Sequence, residues 1–265
     1  MPDDLVPDEL RERIAPLLPP RPRYPGRLPA DDRAALRGIV YVLRKNASWR
    51  DVSAERTGCS GVTAWRRLRD WTEAGVWPRL HEVLPAELSK AGLLDMDDAA
   101  IDGSHVRALK GGSHTGPSPV DRARPGSKHH LIVNRHRTPL AITLTGGNRH
   151  DVTQLAPLPD ALRRIRGLRG RPRHRPGRLF ADHGYDYDYD KYRRILRARG
   201  ITPKITRRGV PHGSGLGKTR WVVERAFAWI HQLKRLRIRY EIRADLHLGL
   251  LQLAYGIICP GALRR

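Results

Sequence analysis

Three acidic residues stand out because of the segments in which they lie. Asp102 falls in a strand-like segment, Asp182 ends another, and Glu224 lies in a helix-like segment of an otherwise basic chain. Phosphodiester cleavage by two divalent cations needs carboxylates from separate elements, because the ions sit about 3.5–4 Å apart to serve the attacking and leaving oxygens. The three residues are therefore candidate catalytic residues and metal ligands.

Hard oxygen ligands and a phosphate substrate favour two Mg²⁺ ions, with Mn²⁺ as a substitute. Carboxylates also serve as surface residues, helix caps and turn formers. We interpret the neighbouring acids in that way, although residue types alone do not separate Asp182 from Asp186; these neighbours are Asp97, Asp98, Asp186, Asp188 and Asp190.

The chain carries a strong positive charge. Its 265 residues include 50 Lys and Arg against 27 Asp and Glu, a formal net charge of +23. So much like charge opposes compaction and suits a polyanionic partner, which predicts binding to double-stranded DNA. Ribosomal, membrane-surface and chromatin proteins share this property, and arginine is often a solvated surface residue, so the charge alone is a weak indication.

The cysteines and the apolar segments bear on the compartment. Cys59 and Cys259 are far apart and lack companions at ligand spacing, so we expect neither a disulfide framework nor a zinc site. The first ten residues lack the features of a secretion signal, and the apolar stretch 246–259 is too short for a bilayer. We therefore expect a cytoplasmic protein without a membrane partner or small-molecule cofactor.

The first ninety residues indicate a helical region. Apolar periodicity and capping residues predict helices over 7–18, from Asp31 or Asp32 to before Asn46, from Ser48 to the break at 57–61, and over 62–73. A glycine-containing turn followed by a basic helix is the helix-turn-helix layout, in which the second helix enters the major groove. The alternative is a plain helical bundle with its arginines in water; the predicted DNA contacts are Thr63, Arg66, Arg67 and Arg69.

From about Asp97 the pattern changes to strands alternating with helices. The predicted order, β-β-β-α-β-α-β-α, is that of a ribonuclease-H-like mixed sheet flanked by helices, in which the first and fourth strands are neighbours. We therefore predict two domains, 1–92 and 93–265.

We also expect a helix over 152–165 with Asp151 as its N-cap. The arginine-rich segment 163–178 is predicted to be an exposed flexible loop that contacts phosphates, with ordinary solvation as the alternative.

Four motifs make a family resemblance specific. The segments IDGSHVRA, GSKHHLIVNRHRTPLAITLTGGNRHDVTQL, LFADHGYDYDYDKY and GLGKTRWVVERAFAWIHQLKRLRIRYE resemble the catalytic core of DDE transposases of the insertion-sequence-five group. The first eighty residues resemble the helical DNA-binding segment that precedes this core. The similarity covers nearly the whole chain and is most specific around Glu224.

The resemblance implies that Asp102, Asp182 and Glu224 are the catalytic triad. It also implies a phosphate-positioning role for Arg220, one turn before Glu224. His150 and Asp151 lie in one of the four segments, so the alternative to a helix cap is that they support the metal ligands from behind. Related proteins carry a tyrosine where this chain has Gly217 and a lysine where it has His231. Further predicted phosphate contacts are His231, Lys234 and Arg235, whereas Trp221, Phe227 and Trp229 are predicted to pack rather than stack on bases.

The resemblance further implies a transposase of a prokaryotic, nucleoid-associated kind. We expect it to bind terminal inverted repeats, cleave the element ends by metal-dependent hydrolysis, and join the freed 3′-hydroxyl to target DNA. Two ends must be held together, so we expect at least a homodimer on DNA. The alternatives are a non-catalytic DNA-binding regulator derived from a transposase, and a ribonuclease-H-like DNA nuclease.

Overall fold

The structure is a computed structural model that describes residues 5–20, 31–162, 175–186, 189–206 and 217–258. For residues 189 and 217–220 it describes the backbone alone. Within these ranges, no helix combines the length and the hydropathy that a membrane span requires.

Among residues 5–20 and 31–90, five helices form the N-terminal region. They are α1 (Asp8–Ile14), α2 (Asp32–Lys45), α3 (Ala54–Thr57), α4 (Gly61–Glu73) and α5 (Val76–Lys90). Helix α2 ends at Asn46, whose φ of 58° is the left-handed conformation of a helix C-cap. Helix α4 begins after Ser60, whose hydroxyl accepts a hydrogen bond from the Thr63 N–H. The predicted bounds of these two helices are confirmed to within a residue or two.

The predicted third helix is wrong in form. The residues after Ser48 make a short 3₁₀ turn (Trp49–Asp51), and α3 follows as a single turn. Ser48 caps the 3₁₀ turn by accepting a hydrogen bond from the Arg50 N–H. The carbonyl of Trp49 lies where a side chain on Gly61 would project, since an added Cβ would come within 1.6 Å of it. The 3₁₀ turn thus packs closely against the start of α4 at the point where the predicted third helix is interrupted.

A seven-stranded mixed sheet forms the second half of the molecule. Its strands are β1 (Asp98–Ala108), β2 (Gly116–Pro117), β3 (Pro125–Asn134), β4 (Pro139–Gly146), β5 (Arg178–Ala181), β6 (Thr202–Ile205) and β7 (Ile238–Arg239). The order is β2-β3-β1-β5-β6, with β4 beside β3 and β7 beside β1. Strand β3 is antiparallel to β1 and β4, whereas β5 is parallel to β1 and β6. The predicted pairing of the first long strand with the strand preceding Asp182 is confirmed.

In the described part of this half there are four helices: α6 (Pro157–Asp160), α7 (Tyr189–Ala198), α8 (Gly217–Gln232) and α9 (Ala244–Ile258). The helix predicted over 152–165 is wrong, because residues 151–162 contain only a 3₁₀ turn (Asp151–Gln154) and the short α6. Pro157 and Pro159 lack the N–H groups that a continuous helix would need. Residues 163–174, most of the predicted phosphate-contacting loop, lie outside the described residues.

Two hydrophobic clusters cover opposite faces of the sheet. One contains Ala100, Leu131 and Phe180 together with residues of α8, α9 and the N-terminal helices. The other contains Ile101, Ile132 and residues of β5 and α6. Strand side chains alternate between faces, so neighbouring residues of β1 and β3 divide between the clusters. A mixed sheet with helices on both faces, preceded by a helical region, confirms the predicted fold class; the division into domains stays a prediction.

Candidate active site

Asp102 and Asp182 follow equivalent positions on neighbouring parallel strands. Ala100 on β1 pairs with Phe180 on β5. Asp102 lies two residues beyond the first and Asp182 two residues beyond the second, so alternation directs both toward the same sheet face. That face is the one covered by α8, since Ala100 and Phe180 belong to one cluster with Val223.

Backbone donors hold one oxygen of each carboxylate. The Gly103 N–H donates to Asp102 Oδ1 at 2.8 Å. The Gly184 N–H donates to Asp182 Oδ1 at 2.9 Å, which caps the 3₁₀ turn His183–Tyr185. Both acids are half-buried. Each side chain is therefore oriented by the backbone beside it.

Glu224 lies on α8, which packs against β1, β3 and β5. The helix buries Val222, Val223, Ala226 and Phe227 against the sheet, whereas Glu224 is exposed. Across the described ranges, no group of three or more His, Cys, Asp or Glu residues has an arrangement that could hold a metal ion. The proposed triad therefore stays a prediction in this structure.

The chemistry of the three candidate ligands suits a hard divalent cation. All three offer carboxylate oxygens, the ligand type that Mg²⁺ and Mn²⁺ prefer. Two come from adjacent strands with matched register and the third from the helix over the same face. The donor set fits the expected ions.

Behind this face lies a polar cluster around Lys128, a residue that the sequence analysis did not single out. Lys128 is buried, with 5% exposure, and its amine donates to Asp151 Oδ1 at 3.0 Å and to the Arg149 carbonyl at 2.8 Å. Asp151 was predicted to be a helix N-cap, which is wrong, because it lies inside a 3₁₀ turn whose N-cap residue is His150. A lysine followed by two histidines within an apolar strand was the available signal.

A second buried polar network links β3, α9 and the segment after β7. His129 Nε2 lies 2.8 Å from His247 Nε2, and His247 Nδ1 lies 3.4 Å from the Glu241 carboxylate. Glu241 also accepts from the Arg235 guanidinium at 2.8 Å. Burial alone would raise the pKa of Glu241, but the hydrogen bond from His247 and the charge of Arg235 outweigh it and lower the pKa to about 2. The network therefore holds an ionised carboxylate inside the molecule.

Comparison with known families decides the chain's relationships. Residues 94–257 match the model described as "Transposase DDE domain". Residues 6–81 match a second model, DUF4096, described for transposases of the IS4/5 family. The chain belongs to the DDE transposase family.

Relatives of this DDE transposase come from Burkholderia cepacia. A protein named as a transposase for insertion sequence element IS402 is 58% identical over 151 residues, which is 57% of this chain and 71% of the relative. An uncharacterised 16.2 kDa protein of the same element is 51% identical over 119 residues, 43% of this chain and 81% of the relative. The chain of a pre-cleavage Mos1 transpososome has a TM-score of 0.34 and 13% identity, over 91% of this chain and 82% of that one.

In the N-terminal region of this DDE transposase, the predicted DNA contacts on α4 differ in availability. Arg66 is exposed, and Thr63 is half-buried with its hydroxyl 3.0 Å from that of Ser60. Arg69 is paired with Asp70 at 2.7 Å and lies over the Trp65 ring. Arg67 lies 3.5 Å from Asp32, and both side chains are largely buried. Arg66 is thus the most accessible of the four predicted contacts.

The predicted contacts in and after α8 also differ. Lys234 is exposed, and the side chain of Arg220 lies outside the described residues. His231 is half-buried, and its Nε2 is buried with no hydrogen-bond partner in the part of the chain that the structure describes. Arg235, predicted to contact phosphate, has only 5% exposure and donates to Glu241 and to the Ala47 carbonyl. The structure corrects that assignment, because the Arg235 guanidinium is committed to internal acceptors.

The three aromatic residues of α8 also differ in burial. Phe227 is buried, as expected for packing, and Trp229 is half-buried. Trp221 is 43% exposed, and the Arg137 guanidinium lies 5.3 Å from the ring centres of both tryptophans. The packing prediction is confirmed for Phe227 and is incomplete for Trp221.

Proposed function

We propose that this transposase binds the terminal inverted repeats of an insertion sequence, cleaves DNA at the element ends, and transfers the freed 3′ ends to target DNA. The observation that carries the proposal is the parallel pairing of Ala100 with Phe180, beneath the helix that carries Glu224. This pairing brings two of the three predicted acids to adjacent strands. Membership of the DDE transposase family supports the same reaction.

In this proposal Asp102, Asp182 and Glu224 hold two Mg²⁺ ions, for which Mn²⁺ can substitute. Asp102 and Asp182 would supply carboxylate ligands from the sheet, and Glu224 would supply one from α8. Bound there, the ions would supply Lewis-acid stabilisation of charge on the attacking and leaving oxygens.

The protein's own contribution is orientation. The N–H groups of Gly103 and Gly184 each donate a hydrogen bond to one carboxylate oxygen. Asp102 and Asp182 are therefore oriented before a metal ion binds. Preorganised ligands avoid a reorganisation cost during the reaction. Arg220 would position a phosphate of the DNA from the preceding turn of α8, as the family resemblance implies.

The N-terminal region, residues 1–92, would recognise the inverted repeats, and residues 93–265 would carry the catalysis. Ser60 caps the start of α4, and Arg66 is exposed in the second turn. A capped helix with an exposed arginine in its second turn is suited to the major groove, where arginine reads guanine. The active form on DNA would be a homodimer or a larger assembly, since two element ends must be held together.

The test uses the full chain and labelled DNA that carries the element end, with Mg²⁺ present. Asp102→Asn, Asp182→Asn and Glu224→Gln are each expected to abolish cleavage while binding to end DNA persists. Asp190→Asn is the matched control, because Asp190 is an exposed acid on α7. Undiminished cleavage by any of the three variants would refute the triad.

Transfer of the labelled 3′ end into a second DNA distinguishes the rival functions. Cleavage without transfer would indicate a nuclease. Binding without cleavage by the unaltered chain would indicate a DNA-binding regulator.

A further inference from the structure

The space behind the first catalytic candidate is filled by a carboxylate. Gly103 follows Asp102 in the strand, so a side chain at position 103 would project from the opposite face of the sheet. A Cβ added to Gly103 would lie 2.9 Å from Asp151 Oδ1 and 3.2 Å from His130 Nδ1. Both distances are shorter than ordinary van der Waals contact, so a side chain at position 103 would have to displace Asp151 or His130. Asp151 is therefore packed directly against the backbone at Gly103.

Asp151 is fixed by a buried amine. Lys128 lies on β3 opposite His105 of β1, and its amine bonds both the Asp151 carboxylate and the Arg149 carbonyl. Only 6% of the Lys128 side chain is exposed, against 30% for Asp151. Because a buried charge without its partner is strongly unfavourable, the pair constrains where Asp151 can sit.

His130 completes the enclosure as a neutral ring. It pairs with Gly103 across β1 and β3, and its Nε2 lies 2.8 Å from the Thr145 hydroxyl. His130 Nδ1 is buried, has no hydrogen-bond partner among the described residues, and lies 3.8 Å from Asp151 Oδ1. The carboxylate is thus enclosed by the Lys128 amine, the His130 ring and the Gly103 backbone.

The contact reaches Asp102 through a single peptide group. The Gly103 N–H that donates to Asp102 Oδ1 belongs to the residue on which Asp151 rests. Movement of Asp151 would shift this donor and with it the orientation of the Asp102 carboxylate.

We propose that Asp151, held by Lys128, is a positioning residue that orients Asp102 through the Gly103 backbone. The role in catalysis rests on the proposed function, because it assumes that Asp102 binds a metal ion. Residues that orient metal ligands commonly change metal affinity by about 10- to 100-fold when altered.

The experiment compares three full-length variants by two measurements. Asp151→Asn keeps the shape of the side chain and removes its charge, and Gly103→Ala presses on the same contact from the other side. Asp160→Asn is the control. It removes the charge of Asp160, an acid on α6 that is paired with Arg199. The first measurement is Mn²⁺ affinity of the DNA-free protein by electron paramagnetic resonance. The second is the Gly103 amide resonance in protein labelled with ¹⁵N-glycine, assigned by its loss in Gly103→Ala.

Asp151→Asn is expected to weaken Mn²⁺ binding by about 10-fold or more and to move the Gly103 resonance. Gly103→Ala is expected to weaken Mn²⁺ binding similarly, and Asp160→Asn to change neither reading. Thermal unfolding of each variant checks that the fold persists.

The proposal is overturned if Asp151→Asn retains the Gly103 resonance of the unaltered protein, or if Mn²⁺ affinity is unchanged. If the unaltered protein binds no Mn²⁺, the metal site of the proposed function fails. In that case the Gly103 resonance decides whether Asp151 orients this peptide group.

Discussion

Ala100 on β1 lies opposite Phe180 on β5, in parallel register. Two residues further along each strand come Asp102 and Asp182, 80 positions apart in the sequence. Residues at the same level of adjacent parallel strands have Cα atoms about 4.8 Å apart. This pairing therefore brings two acids that are far apart in the sequence close together in space.

Cysteine cross-linking can test this register without any activity. With Cys259 changed to Ser, the double variant Asp102→Cys/Asp182→Cys is expected to form a disulfide under mild oxidation, since disulfides span Cα distances of about 4.4–6.8 Å. Mass spectrometry of the digested protein would identify the link. The pair Asp102→Cys/Asp190→Cys is the control, and equal cross-linking of both pairs would contradict the register.

Arg66 and Arg67 are adjacent in the sequence but should affect DNA binding differently. Arg66→Ala removes an exposed guanidinium, so it should weaken binding to end DNA; if Arg66 contacts phosphate, the salt-dependence slope should fall by about one. Arg67→Ala removes a largely buried partner of Asp32 and should chiefly lower stability. Binding titrations at several salt concentrations and thermal unfolding would measure these effects. A larger loss of affinity for Arg67→Ala in a protein that remains folded would contradict the assignment.

The buried pair of Arg235 and Glu241 should matter for stability. Arg235→Ala leaves the Glu241 carboxylate buried, with 3% of its side chain exposed, so it should lower the free energy of unfolding by about 3–5 kcal/mol. Arg243→Ala removes an arginine paired with Glu73 and Asp245 at the surface, where such pairs contribute about 0–1 kcal/mol each. Urea unfolding would compare the two variants. Equal losses would show that burial does not distinguish the pairs.

Acid should destabilise the fold through its buried histidines. Burial lowers the pKa of His130 from 6.5 to about 4, and burial also lowers those of His129 and His247. Below pH 6.5 the unfolded chain binds protons that the folded chain does not, so stability falls as the pH falls. For His130 alone the loss from pH 6.5 to pH 4 is about 3 kcal/mol. Urea unfolding between pH 7.5 and pH 4.5 would measure it, and a flat profile would count against this account.

Local sequence patterns predicted the helix ends that depend on contacts within a few residues. The left-handed Asn46 at the end of α2 and the Ser60 hydroxyl at the start of α4 act on the backbone within a few residues. Their residue types therefore marked the helix ends in the sequence. The helix predicted over 152–165 failed where Pro157 and Pro159 removed backbone donors, a local signal that was present and outweighed by apolar spacing.

Long-range polar contacts left weaker signals. Arg235 was predicted to contact DNA, because nothing in the sequence around it reveals that Glu241 and the Ala47 carbonyl accept its hydrogen bonds. Lys128 was correctly predicted to lie in a strand, whereas its partner Asp151 was predicted to be a helix cap. The predictions for Arg235 and Asp151 were wrong because charge and periodicity describe one segment, whereas an ion pair depends on two.

The sequence by itself determined the family, the mixed sheet with its helices, and the identity of the candidate acids, because motifs, periodicity and capping are properties of contiguous residues. Only the tertiary structure decided the register in which Ala100 lies opposite Phe180, that Arg235 is internal, and that Asp151 rests on Gly103. These relationships depend on strand register and side-chain packing between segments far apart in the chain. A shift of one residue would turn the same side chains to the opposite face of the sheet.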